Sequence, residues 1–207
     1  MFGDFLLKSI SEKISNMKKQ FLIIAFVFAA CFNAVAQDKA SLDAAAQQLY
    51  INTVAGNYEA VANSTYPKIF EIIPKDKMME SLKSMLKGDG YSMLMLKTDP
   101  KFEYGPIKKI DEGTYCMIKH DLLMKMTFTT PLGAEEGKTM TQNFKNAMQT
   151  EDVTFDAASN SFTMKKRVDV IAVADKSTGN KWKFLNKSGN KLMAKVFDEK
   201  VIKQLGL

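Results

Sequence analysis

The sequence predicts an α+β domain in which N-terminal helices pack into a strongly curved antiparallel sheet. Three observations carry that expectation. Apolar residues recur at spacings of three and four from Ser41 to about Lys87, the period changes to two from Tyr91 onward, and a Trp-bearing hairpin closes the run of strands.

Ser41 is positioned to cap a helix whose Leu42, Ala45, Ala46, Leu49, Tyr50 and Thr53 share one face. Gly56-Asn57 stops it, and a second short helix carries Tyr58, Val61 and Ala62. Pro67 punctuates the chain before Ile69, Phe70, Ile72 and Ile73. Pro74 opens a helix with an apolar stripe of Met78, Met79, Leu82, Met85 and Leu86, which Gly88-Asp89-Gly90 ends. Phe102 and Tyr104 then alternate with charged neighbours, and Asp111-Glu112-Gly113 supplies a turn. In the next strand Cys116, Ile118, His120, Leu122, Met124, Met126 and Phe128 fall on one face, with Lys119, Asp121 and Lys125 on the other. Thr130 to Asn160 breaks the pattern; Gly133 to Gly137 is acidic and glycine-bounded, and Thr141 to Gln149 is consistent with a short helix. A further long strand places Phe162, Met164, Val168, Val170, Ala172 and Ala174 on one side. Lys176 to Asn180 makes a hairpin loop into Lys181 to Asn186, which turns Trp182 and Phe184 inward, and Asp198 to Leu205 reads as a terminal helix.

Ahead of this domain, residues 17–36 carry the pattern of an export signal: Lys18-Lys19 as a positive segment, Phe21 to Cys31 as an apolar one, and Ala34-Val35-Ala36 as a cleavage site before Gln37. Residues 1–16 either precede a true start at Met17 or extend the positive segment. The apolar run, about 11 residues, is short of the ~20 that cross a bilayer, so no stable membrane span is expected after cleavage. The destination is the periplasm or the medium; a lipoprotein acylated at Cys31 is the alternative. The mature chain, 37–207, is long enough for a single domain with a substantial core.

The formal charge of the whole chain is +6. Its basic runs are short, Lys108-Lys109 and Lys165-Lys166-Arg167, and no basic stripe interleaves with aromatics, so nucleic acid is not an expected partner. Of the two cysteines, Cys31 leaves with the signal and Cys116 has no partner, so the fold depends on packing rather than disulfides. With one histidine and no paired cysteines, no metal site is expected, and the glycines lack phosphate-loop spacing, so no cofactor is implied.

The segments Gly56-Asn57-Tyr58-Glu59-Ala60-Val61-Ala62, Ser64-Thr65-Tyr66-Pro67-Lys68-Ile69-Phe70 and Lys75-Asp76-Lys77-Met78-Met79-Glu80-Ser81-Leu82, with the closing Lys181-Trp182-Lys183-Phe184-Leu185, resemble exported bacterial members of the nuclear transport factor 2-like superfamily. The resemblance spans most of 41–186 and lies in architectural residues. It implies a cone: a bent sheet wrapped against helices, with a cavity at the wide end. The superfamily holds hydrolases, isomerases, dehydratases, ligand binders and interaction modules, so it narrows function little. In such a cone Tyr50, Tyr66, Tyr104, His120, Met124 and Trp182 are the expected cavity-lining groups.

His120, the lone histidine, is the one candidate for acid/base chemistry, and it needs an orienting carboxylate on its own face. Asp121 points the opposite way and Asp169 is out of phase with the apolar positions of its strand. Cys116 shares the face of His120 but lies about 13 Å along the strand, too far for direct activation. The methionines suit an adaptable apolar cavity and an ordinary core alike. The leading expectation is therefore a non-enzymatic exported domain that binds a small apolar ligand or a protein partner in its cavity. A small-molecule enzyme of isomerase, dehydratase or hydrolase type using His120 is the alternative, and pairing of two copies through the sheet is a third possibility.

Overall fold

A computed structural model describes residues 39–207. The expected export signal, residues 1–16, Cys31 and the expected cleavage site before Gln37 lie outside the described residues. Residues 44–207 make one compact unit; the other unit, 1–43, is described only over 39–43. No helix among the described residues is long and apolar enough to cross a membrane.

The described chain is mixed α and β, with an open antiparallel sheet. Helix α1 (39–54) is followed by α2 (Tyr58–Ser64), a 3-10 turn (Pro67–Glu71) and α3 (Lys75–Leu86). Ser41 sits inside α1 rather than capping it. Lys39 and Ala40 are good helix formers with no glycine or proline to stop the helix short of Ser41. Pro74 stands at the N-cap of α3, where its fixed φ suits a helix start.

Two long strands make the spine of the sheet, β5 (Gly113–Phe128) and β7 (Ser161–Ala174). They pair antiparallel from Thr114↔Ala174 to Thr127↔Ser161. The free edge of β5 is filled in turn by β2 (Tyr91–Leu96), β3 (Glu103–Tyr104) and β4 (Lys108–Ile110), and β1 (Lys87–Gly88) adds to β2. The far edge of β7 takes β6 (Val153–Asp156) and β8 (Lys183–Asn186). The two long strands expected from alternation are thus the central pair, and both bury side chains on each face of the sheet.

Register sets the two faces. Cys116, Ile118 and His120 stand opposite Ala172, Val170 and Val168, and Ala172 in turn opposes Phe184. On this face, toward the Phe128 end, Met124, Phe162, Met164 and Val153 form a buried cluster. Helix α4 (Ala134–Met148) closes it with Met140, Phe144 and Met148. The opposite face, at the Tyr115 end, packs Tyr115, Ile171, Val173 and Leu185 against α5 (Asn190–Val196) and α6 (Glu199–Leu205) through Met193, Val196 and Val201, with Phe197 between the two helices. Each such fully buried apolar side chain is worth about 1.5–3 kcal/mol relative to exposure.

Three elements depart from the periodicity reading. The segment expected as an irregular connection with a short helix from Thr141 holds a 15-residue helix from Ala134. Its acidic start is the helix's first turn: Glu135 and Glu136 complement the N-terminal dipole, and the Glu136 carboxylate accepts from the Gly133 N–H at 2.9 Å. Gly137 lets α4 approach β6, since a Cβ there would stand 2.3 Å from the Phe155 ring. Strand β6 follows inside the same segment. Near the C terminus, α5 precedes the expected final helix; at seven residues it is too short for its Met193 and Val196 to show a clear helical period.

Candidate functional site

On the helix-covered face of the sheet, between the Cys116 end and the α4 cluster, side chains of α1 to α3 and the sheet leave a cavity of about 430 Å³. That lies within the ~300–1,000 Å³ of small-molecule sites. Its floor is sheet: Ile118, His120 and Leu122 from β5, Val170 from β7 and Phe184 from β8. Its walls are Ala46, Leu49 and Tyr50 from α1, Val61 from α2, Met95 from β2 and Phe102, with Met78, Leu82 and Met85 from α3. Helix α3 has no buried residue: Met78, Leu82 and Met85 of its apolar stripe border this space, and Met78 also packs against the cluster beneath the C-terminal helices. Ile73 and Met85 are 37% and 46% exposed and, with Asn186 and Ser188, mark the rim.

Nearly every polar group of the wall is already committed within the protein. The Tyr50 hydroxyl donates to the Thr98 carbonyl at 2.9 Å and accepts from the Thr98 N–H at 3.0 Å, which ties α1 to the chain after β2. The hydroxyls of Thr53 and Thr65 donate to carbonyls one helical turn back, and that of Ser188 donates to the Asn186 carbonyl. His120 is the exception at depth. It is 8% exposed, with its ring held edge-on by Tyr50 at 6.1 Å and tilted against Phe102 at 5.4 Å. Its Nδ1 lies 3.3 Å from the Asp121 carbonyl. A carbonyl can only accept, so the ring proton sits on Nδ1 and Nε2 carries the lone pair. Burial pulls the imidazole pKa below its ordinary value, the carbonyl bond opposes that, and the Arg167 charge adds to it. His120 is thus neutral at pH 7.

No carboxylate bonds to His120 among the described residues. Asp121 turns to the opposite face, 5% exposed, where its oxygens meet Lys165 at 3.0 Å and Arg167 at 2.8 Å. Arg167 also reaches Glu103 at 2.7 Å. Burial raises the Asp121 pKa, but these hydrogen bonds and charges outweigh it and hold the carboxyl below the usual range. Cys116, next on the His120 face, is fully buried, with its thiol donating to the Gly105 carbonyl at 3.3 Å. Burial pushes that thiol up to about 11, so it stays protonated at neutral pH. Among the described residues no three His, Cys, Asp or Glu side chains converge as a metal site would require.

Of the six expected cavity-lining residues, Tyr50 and His120 line this cavity. The other four lie elsewhere, for identifiable reasons. Met124 is taken by the α4 cluster. Tyr66 is fully buried with the C-terminal helices, stacked on Phe197 at 5.6 Å, its hydroxyl donating to Asp175 at 2.7 Å. Tyr104 packs behind Phe102 at 5.9 Å, and Trp182 precedes the first residue of β8, so strand alternation does not govern where it points. Phe102, the α3 methionines and Ile118 were visible in the sequence as apolar-face residues, but periodicity does not tell a face that borders space from one that is packed.

No protein-family model and no curated protein matches this chain.

Proposed function

We propose that the protein is an exported domain of the nuclear transport factor 2-like kind that holds a small apolar ligand in the cavity between α1 to α3 and the sheet. The carrying observation is the cavity itself: about 430 Å³, apolar on nearly all sides, with its wall hydroxyls already bonded within the protein. The order of helices before an antiparallel sheet, with the cavity on the helix-covered face, supports the superfamily reading. A wall rich in methionine suits ligands of variable shape. An acid/base role for His120 has less support, because among the described residues no carboxylate bonds to the ring to stabilise the imidazolium that proton uptake would form, and burial disfavours that cation.

The test is displacement of a fluorescent apolar probe, N-phenyl-1-naphthylamine, from the chain beginning at Gln37, together with native mass spectrometry of protein recovered from its export compartment. Saturable one-to-one probe binding, displaced by apolar molecules and weakened by Ile118→Trp, is the expected result. A protein that binds no probe and carries no small molecule would overturn the proposal.

A further inference from the structure

We infer that the ligand is an apolar molecule carrying a hydroxyl group, which donates a hydrogen bond to His120 Nε2 in the floor of the cavity. This rests on the reading of the cavity as a ligand site. Tyr50 has spent its hydroxyl on both backbone groups of Thr98, and Thr53 and Thr65 have turned theirs back into their own helices. Asn186 and Ser188 stand at the exposed rim, in water. That leaves His120 as the polar side chain of the interior.

The two ring nitrogens of His120 have different fates. Nδ1 is held by the Asp121 carbonyl. For Nε2 the described residues supply no hydrogen-bond partner, yet among them no fully enclosed side-chain nitrogen or oxygen is left without one. Nε2 therefore borders open space, and the space that His120 borders is the cavity. With the proton on Nδ1, Nε2 accepts and does not donate. An occupant bearing only acceptors, such as an ether or an ester, leaves that lone pair unpaired. An occupant bearing a carboxylate presents an acceptor to an acceptor, and its charge is compensated only if the buried ring takes up a proton, which burial disfavours. A hydroxyl at the end of an aliphatic or alicyclic body satisfies both requirements, the apolar wall and the single inward acceptor.

Three matched ligands separate this inference from the cavity reading on which it rests: decanol, decyl methyl ether and decanoate at neutral pH, each competed against the same fluorescent probe. Decanol is expected to bind roughly threefold to tenfold more tightly than the ether, as one hydrogen bond predicts, with decanoate weakest. In His120→Leu the preference for the alcohol collapses to within about twofold while the ether still displaces the probe. Because the chain has one histidine, the imidazole nitrogens of an untagged protein give a single pair of resonances. Decanol should shift the Nε2 signal toward that of a hydrogen-bonded acceptor, and the ether should leave it in place. This readout does not depend on any variant folding. Equal affinity for alcohol and ether, tightest binding of decanoate, or an Nε2 resonance indifferent to decanol would each overturn the inference while leaving the cavity reading intact. Failure of the probe and all three ligands to bind would overturn both.

Discussion

Ala46 in α1 is 2% exposed and lines the cavity, so Ala46→Leu asks whether the space is open. In a filled core the three added carbons would force neighbours off their rotamers at a cost of about 1–3 kcal/mol. Here they enter a void of about 430 Å³, and the sign reverses. Burying three methylenes returns at most ~2.4 kcal/mol at ~0.8 each, from which the leucine side chain loses ~0.5–1 kcal/mol of rotamer entropy. Helix propensity is nearly unchanged between the two residues. The net is a gain of about 1–2 kcal/mol in the ligand-free protein, or a rise of roughly 2–8 °C in Tm for a domain of this size. The same carbons occupy ligand volume, so probe affinity should fall. Scanning calorimetry of the stripped protein and probe titration measure the two effects separately. A destabilised variant whose probe binding is unchanged would refute the reasoning, because it would mean that Ala46 faces packed atoms.

Asp121→Asn removes the charge that Lys165 and Arg167 share, and with half-exposed partners the expected cost is about 1–3 kcal/mol by urea denaturation at pH 7. The sign with pH follows from the depressed folded pKa of Asp121. Its contribution is present above the unfolded value of about 3.9 and is lost as pH falls below it, so the variant should lose less stability than the wild type between neutral and acid. Parallel acid limbs for the two proteins would count against the network. Tyr66→Phe gives up a bond to Asp175, whose carboxylate keeps Ser177 and the Thr178 N–H; a loss of about 0.5–1.5 kcal/mol with undisturbed probe affinity is expected. Probe binding abolished in a folded Tyr66→Phe protein would relocate the site. Gly137→Ala gains up to about 1 kcal/mol of helix propensity but drives a methyl into the Phe155 ring, and a net loss of about 1–2 kcal/mol should appear in denaturation. A more stable alanine variant would show that α4 and β6 can part without cost.

Much of the fold was legible from residue order because its elements obey local periodicity. The β5 alternation from Cys116 to Phe128 and the Met78-Leu82-Met85 stripe of α3 each need only their own spacing to be recognised. Helix α4 was only half legible: Gly133 and Gly137 look like breakers, and it takes the ring of Phe155 on another strand to explain why a glycine is kept inside a helix. Helix α5 was missed because seven residues carry too little periodic signal.

The sequence by itself determined that a run of helices precedes the first strands and, through strand alternation, that His120 lies on an apolar strand face with Asp121 turned away from it. Only the tertiary structure decided which stretch of that face is packed and which borders open space. Met124 and His120 are four residues apart on the same side of β5, yet α4 descends onto one and leaves a cavity over the other. That difference depends on how closely two elements distant in sequence approach each other, a length set by side chains on both partners, which no spacing within either element encodes. The role of His120 has the same origin: its Nδ1 is bound by a carbonyl of its own strand, and the direction left open to Nε2 exists because α1 to α3 stand off from the sheet.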